Sequence, residues 1–112
     1  MKYSIYKLDF FDLIVSKVSN LNALTDTNYQ FDMNECISKI KQDCCNNRNV
    51  DSVSVYIRNV DIFVSNTITE CMCMNDNLGH KTVDFLNHNR VLYCFSSDLD
   101  EGETYIITQS DL

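Results

Sequence analysis

Apolar positions along the chain follow two different periods, one typical of strands and one typical of helices. In the segment KYSIYKL at 2–8, Tyr3 and Ile5 alternate with Ser4, which is typical of a short first strand. Asp9 can cap a helix, and the apolar residues after it recur at the helical period of 3.6. They predict a first helix over 10–22 through Phe10, Leu13, Ile14, Val18 and Leu21.

A second helix is indicated by a capping signature. Asp32 is followed three residues later by Glu35, a spacing typical of a helix N-terminus. The cluster NNRN then favours a turn. This helix is predicted over 33–45, with an apolar stripe of Met33, Cys36, Ile37, Ile40 and Cys44.

The second half of the chain is predicted to be mostly extended. DSVSVYI at 51–57 alternates in the manner of a strand, and DIFVSNTITECMCM at 61–74 reads as its antiparallel partner. A short helix is expected over 80–88. RVLYCFS at 90–96 and ETYIIT at 103–108 then predict two strands joined by the acidic turn SDLDEG.

These elements run in the order β-α-α-β-β-α-β-β and predict one α+β domain over 1–112. We expect a mostly antiparallel sheet of four or five strands, with two main helices and one short helix packed on one face. The chain has no proline and only two glycines, and it shows no linker-like run. Nothing in the sequence divides it into two domains.

Composition favours a folded protein in a reducing compartment. Hydrophobic residues make up 45% of the chain, yet no apolar run approaches the roughly 20 residues needed to cross a membrane. Charged residues interrupt the N-terminal segment, so a secretory signal is not expected. A chain of 112 residues with this apolar content does not need disulfides, and its six cysteines predict reduced thiols in the cytoplasm of a host cell.

The charge of the chain disfavours nucleic acid and anionic membranes as direct ligands. The net charge is −7, which repels phosphates. Between 91 and 112 there is no lysine or arginine, while five acidic residues occur. They form a candidate face for the basic surface of a larger protein, although net charge also serves solubility: Asp98, Asp100, Glu101, Glu103 and Asp111.

Two cysteines and two histidines between 70 and 88 raise the question of a metal site. Zinc ligands typically come in C-x2-4-C and H-x3-5-H pairs, whereas the spacings here are C-x-C and H-x7-H. On a strand, Cys71 and Cys73 would point to one face, while His80 and His88 would lie two helical turns apart. We therefore expect packing cysteines and no metal or other cofactor. One histidine with both cysteines and a distant Cys94 or Cys44 is the alternative.

Catalytic motifs are scarce in this sequence. A nucleophile needs a neighbouring base, and the base candidates are the two histidines, each four residues from Asp84. Such i,i+4 pairs are common on helix surfaces. The sequence contains no phosphate-binding loop, no dinucleotide fingerprint and no zinc-protease motif. We expect no catalytic residues.

One segment resembles a known enzyme family. GHKTVDFLNHNRV at 79–91, followed by DLDEGE at 98–103, is similar to the Gly-His helix start, Asn-Arg-Val strand and Arg-Leu-x-Glu-Gly turn of small viral ring nucleases, which degrade cyclic oligoadenylate. The resemblance covers about 24 of 112 residues. It implies that His80 is catalytic and that Glu101 assists it. Asp98 stands where that pattern has arginine, and the N-terminal Asn-Ala-Phe-Ser motif is absent.

Two functions from different classes are therefore considered. The first is a small acidic non-enzymatic protein that binds and inhibits a larger host protein, with nucleic-acid mimicry as one form. Size, charge and thirteen asparagines, typical of an A/T-rich genome, favour a viral or mobile-element inhibitor of a host defence or nucleic-acid enzyme. The second is a nucleotide-degrading enzyme acting through His80. A structural subunit is a third possibility, and the sequence does not fix the oligomeric state.

Overall fold

Eight helices and strands and one 3-10 turn form the described part of the protein. The structure is a computed structural model that describes residues 2–9, 14–21, 32–45, 49–74, 77–98 and 103–110. In chain order the elements are β1 (Lys2–Asp9), β2 (Ile14–Leu21), α1 (Met33–Cys44), a 3-10 turn (Val50–Ser52), β3 (Val55–Arg58), α2 (Val60–Met74), α3 (Asn77–His88), β4 (Arg90–Ser97) and β5 (Glu103–Ser110). None of the helices in these ranges is both long and apolar enough to cross a membrane.

The strands form one antiparallel sheet, which confirms the α+β fold. The strand order is β2-β1-β5-β4-β3, so β5 lies at the centre and β2 and β3 at the edges. Each neighbouring pair is antiparallel. In the central pairs Ile5 lies opposite Ile107 and Phe95 opposite Tyr105. The predicted first strand and the predicted hairpin at 90–96 and 103–108 are confirmed.

Helices cover both faces of the sheet, so the expectation of one covered face is wrong. Successive residues of β5 point to opposite faces, and Tyr105, Ile106 and Ile107 are all fully buried. α1 packs against one set of inward residues: Ile5, Phe95, Tyr105 and Ile107. α2 and α3 pack against the other: Leu8, Cys94 and Ile106.

α1 begins as the capping signature predicts. The Asp32 Oδ1 accepts hydrogen bonds from the backbone N–H groups of Asn34 at 3.0 Å and Glu35 at 3.2 Å. Cys36, Ile40 and Cys44 then form the buried side of the helix. The predicted helix at 33–45 is confirmed and ends one residue earlier.

The predicted first helix is wrong, because residues 14–21 form strand β2. The register with β1 shifts so that Ser19 lies opposite Ile5 and Lys17 opposite Tyr6, which leaves Val18 as an extra residue. Val15 packs in the cluster under α2 and α3, whereas Val18 packs in the cluster under α1. Because the strand is covered on both faces and contains a bulge, its apolar residues are spaced as they would be in a helix. Residues 10–13 and 22 lie outside the described ranges.

The predicted strand at 61–74 is also wrong, because this segment forms α2. Asn59 caps the helix, its Oδ1 accepting from the N–H of Ile62 at 3.0 Å. Phe63, Thr67 and Cys71 follow at intervals of four and are buried. Burial against the sheet therefore overrides the strand propensity of the β-branched residues. β3 pairs with β4 instead, and α3 begins three residues before the predicted 80–88 helix.

Candidate binding surface at one end of the sheet

Several strand ends meet at one end of the sheet, and each carries an acidic residue. Asp9, the last residue of β1, lies directly opposite Glu103, the first residue of β5. Asp98 follows the last residue of β4 and is exposed. Like charges directly opposite each other in a sheet destabilise the pair. We call Asp9, Asp43, Asp98 and Glu103 the acidic end.

Lys7 links this end of the sheet to α1. Its Nζ lies 3.3 Å from the Oδ2 of Asp43, in the last turn of α1, and 3.8 Å from the Oε1 of Glu103. All three side chains are about one-quarter exposed, so water screens these pairs and each contributes at most about 1 kcal/mol. Among these described residues, four carboxylates outnumber the one ammonium of Lys7.

A buried tyrosine holds Asp43 in place. The hydroxyl of Tyr105 donates to the Asp43 Oδ2 at 2.5 Å and accepts from the Cys44 Sγ at 3.2 Å. Burial, followed by the hydrogen bond to Asp43, raises the pKa of the Tyr105 phenol well above its ordinary value. The side chain is fully buried. This network positions the Asp43 carboxylate and offers no phenolate to a substrate.

Asp98 fixes the beginning of β3. Its backbone N–H donates to the Ser54 carbonyl at 3.1 Å, and its Oδ1 accepts from the Ser54 N–H at 3.0 Å. The carboxylate thus completes the ladder between β3 and β4 while the side chain stays on the surface. Two hydrogen bonds thus hold an exposed acidic residue beside the edge strand.

The five predicted partner-binding residues are placed only in part. Asp98 is exposed after β4, whereas Glu103 is half-buried within β5 and is not on the turn. Asp100, Glu101 and Asp111 lie outside the described ranges. Sequence reasoning missed Asp9 and Asp43. No local pattern marks Asp43, because a contact over 36 residues brings it to Lys7.

The cysteines and histidines are separated by the fold. Because residues 60–74 are helical, Cys71 is buried while Cys73 is exposed, and the expectation that both share one face is wrong. His80 is exposed in the first turn of α3, and the His88 Nδ1 lies 2.7 Å from the backbone oxygen of Asp84. Within the described ranges no three His, Cys, Asp or Glu side chains converge on a possible metal position.

Two of the open grooves on the surface are lined by described residues. One of about 490 Å³ separates the start of α2 from the end of α3 and is lined by Val60, Asp61, Val64 and residues 86–91. It includes His88 and Arg90 but not His80. The other, of about 310 Å³, lies between β2 and α1 and is lined by Val18, Ser19, Lys39, Gln42 and Asp43. The second groove adjoins the acidic end through Asp43.

Comparison of the chain with protein-family models, with curated proteins and with solved structures found no match.

Proposed function

We propose that this chain is a non-enzymatic binding protein that docks on a basic surface of a larger protein through its acidic end. The observation that carries the proposal is the direct cross-strand pairing of Asp9 with Glu103 beside Asp98. Like charges directly opposite each other repel, and Lys7, 3.8 Å from the Glu103 Oε1, offsets part of that repulsion. A cationic partner would remove that repulsion on binding, which gives the arrangement a use in recognition.

The inhibitory role is proposed on broader grounds. A small chain with a net charge of −7 fits a competitor for a surface that otherwise holds nucleic acid. Size, charge and the asparagine-rich composition support a viral or mobile-element origin and action in the host cytoplasm. The partner is a host protein with a basic groove or patch, and no direct contact with nucleic acid is proposed.

Two matched variants test the docking surface. Asp98→Asn with Glu103→Gln removes two charges from the acidic end, and the amide oxygen introduced at position 98 can still accept from the Ser54 N–H. Asp84→Asn with Glu70→Gln removes two charges from exposed positions on α3 and α2. The partner is first captured from host lysate with the wild-type chain and identified by mass spectrometry. Association rates are then measured by surface plasmon resonance from low to high salt.

We expect the first variant to associate about three- to tenfold more slowly at low salt and to show a flatter salt dependence. The second variant should associate nearly as fast as the wild type, because its charges lie away from the contact. Equal rates and salt slopes for the wild type and the first variant would show that the acidic end is only a solvated surface.

Nucleotide degradation is a second candidate, favoured by one observation. Gly79 and His80 lie in the first turn of α3, as the resemblance to ring nucleases implies, and His80 is exposed. Incubation of the purified protein with cyclic oligoadenylates tests this activity. Turnover that is abolished by His80→Ala and retained by His88→Ala would establish the enzyme. Intact substrate in all three samples is the result expected of a binding protein.

A further inference from the structure

β3 is an open edge of the sheet. In the described part of the chain it pairs with β4 on one side only, and it ends the strand order. The N–H of Asp98 donates to the carbonyl of Ser54, so the backbone groups of Ser54 point toward β4. Because the directions of the backbone groups alternate along a strand of an antiparallel pair, the N–H and C=O groups of Tyr56 and Arg58 also point toward β4. The N–H and C=O groups of Val55 and Ile57 therefore face outward.

Exposed apolar side chains accompany these outward groups. Tyr56 is 55% exposed, Ile57 is 66% exposed, and Ile62 in the first turn of α2 is 60% exposed. Edge strands are usually guarded by a charged side chain, and the charged residue within β3 is Arg58. Its Nη1 instead lies 3.2 Å from the Thr104 Oγ1, and its guanidinium lies 5.7 Å from the ring centre of Phe63. Arg58 crosses the face of the sheet and leaves the edge unguarded.

Three carboxylates lie close to β3 along the chain or through a hydrogen bond, against one cation within the strand, Arg58. Asp51 lies in the 3-10 turn before β3, Asp61 lies in the first turn of α2, and Asp98 is bonded to Ser54 at the start of β3. All three are exposed. A second copy of the chain would bring the same three carboxylates and a further net charge of −7 to the contact. Coulombic repulsion thus disfavours self-pairing and favours a cationic strand.

We propose that the edge of β3 binds an extended, positively charged segment of the partner protein, which adds to the sheet as a further strand. Backbone hydrogen bonds to Val55 and Ile57 supply the strand addition. Contacts with Tyr56 and Ile57 bury apolar surface, and the flanking carboxylates select cationic side chains. The inference rests on the proposed function and identifies which part of the protein near the acidic end makes the contact.

A peptide of alternating lysine and valine, six residues long and blocked at both ends, is the probe. Amide hydrogen exchange of the full chain is followed by NMR with and without it. At peptide concentrations ten times the dissociation constant, exchange at Val55 and Ile57 should slow about tenfold. Exchange at Tyr56 and Arg58 should change little, because their amides already bond to β4. A peptide with glutamate in place of lysine should not slow this exchange, because its charge is reversed. A peptide with methylated backbone amides should not slow it either, because it cannot donate the backbone hydrogen bonds.

Two variants with equal charge changes locate the contact. Ile57→Lys places a cation on the β3 edge, and Ser16→Lys places one on the exposed surface of β2. Both should fold, because both positions are exposed. We expect Ile57→Lys to abolish peptide binding and Ser16→Lys to retain it. Equal binding by both variants would overturn the proposal.

The outcomes separate this inference from the proposed function. The lysine peptide could bind without slowing amide exchange at Val55 and Ile57. If the variant Asp98→Asn with Glu103→Gln then weakens peptide binding, the acidic docking surface stands and the edge contact fails. If the lysine and glutamate peptides bind equally, the charge-based function fails as well. If amide exchange at Val55 and Ile57 slows with rising protein concentration in the absence of peptide, a second copy of the chain is the occupant.

Discussion

The two edges of the sheet are built differently. On β2, Lys17 is exposed, Val18 forms a bulge, and the carbonyl of Asn20 accepts from the Lys39 Nζ at 2.7 Å. β3 has no bulge in its pairing and presents Tyr56 and Ile57. A lysine and a bulge are devices that prevent strand addition. The β2 edge thus carries two of these devices, whereas the β3 edge retains the features that a partner strand uses.

The difference separates residues that stabilise the fold from residues available for binding. An apolar side chain that is two-thirds exposed gains little from burial, so Ile57 contributes little to folding. An unguarded apolar edge also carries a risk of aggregation. The flanking carboxylates reduce that risk, because they repel further copies of the same acidic chain. Matched changes at the centre and at the edges test this separation.

The largest expected effect is the response of stability to alkaline pH, because two buried thiols lie in the core between the two edges. Cys94 lies opposite Arg58 of β3, and Cys36 of α1 packs in the same cluster as Leu21 of β2. Burial raises the pKa of both thiols from 9.0 to about 12. Between these values the unfolded thiol has lost its proton and the folded one has not. The free energy of unfolding is therefore retained below pH 9 and falls by up to about 1.4 kcal/mol per pH unit per thiol as the pH rises toward 12, and above pH 10 the buried Tyr105 phenol adds to this loss.

Urea unfolding at a series of pH values measures this slope. The single variants Cys36→Ala and Cys94→Ala serve as controls, since each removes one titrating thiol. Each should flatten the slope by a similar amount, although each starts from a lower stability at neutral pH. A wild-type slope retained in both variants would contradict the assignment of the alkaline loss to these thiols.

The second prediction compares one substitution at the centre and at the edge. Ile107→Ala removes a fully buried side chain from β5 and should lower the free energy of unfolding by about 2 to 5 kcal/mol. Ile57→Ala changes an exposed side chain on β3 and should stay within about 0.5 kcal/mol. Urea unfolding of both variants measures the difference. A large loss at Ile57 would mean that the β3 edge is part of the folded core, and the comparison of edges would fail.

The third prediction makes the same comparison with a single hydroxyl. Tyr105→Phe removes the buried donor to Asp43 and should cost about 1 kcal/mol. Tyr56→Phe removes a hydroxyl from a side chain that is 55% exposed and should change stability by a few tenths of a kcal/mol. Thermal or urea unfolding measures both. Equal losses would show that the Tyr105 network contributes nothing beyond packing.

Sequence patterns predicted those parts of the fold in which local signals and burial agree. Asp32 and Glu35 marked α1 correctly, and the alternation in 90–96 and 103–108 identified the central hairpin. β2 was missed because its bulge imitates a helical period. α2 was missed because its β-branched residues favour a strand, whereas burial of one side of the segment against the sheet stabilises a helix. In both segments, long-range pairing or packing decided the structure.

The candidate surface was predictable where its residues are adjacent in sequence. The acidic run pointed to Asp98 and Glu103, but their roles beside Ser54 and Lys7 depend on the strand register. The sequence pattern favours Asp9 as a helix cap, whereas in the structure Asp9 lies opposite Glu103. The open edge of β3 could not be foreseen, since the sequence favoured 61–74 as its partner. Once that segment is a helix, β3 has β4 on one side and, within the described ranges, an unoccupied edge on the other.

The smallest effect on stability is expected from removing the guard of the β2 edge. Lys17→Ile changes an exposed side chain on a strand, so the free energy of unfolding should change by at most about 0.5 kcal/mol. The variant loses one positive charge and gains an apolar side chain at the edge, while the bulge at Val18 remains. We expect only weak concentration-dependent association, measured by light scattering after size-exclusion chromatography, because the bulge still twists the strand away from a regular partner.

Lys81→Ile on α3 is the control, since it makes the same change at an exposed position on a helix. Strong association of the Lys17 variant alone would show that this lysine, and not the bulge, keeps the β2 edge closed. Equal association of both variants would show that a general gain in surface hydrophobicity, and not the strand edge, is responsible.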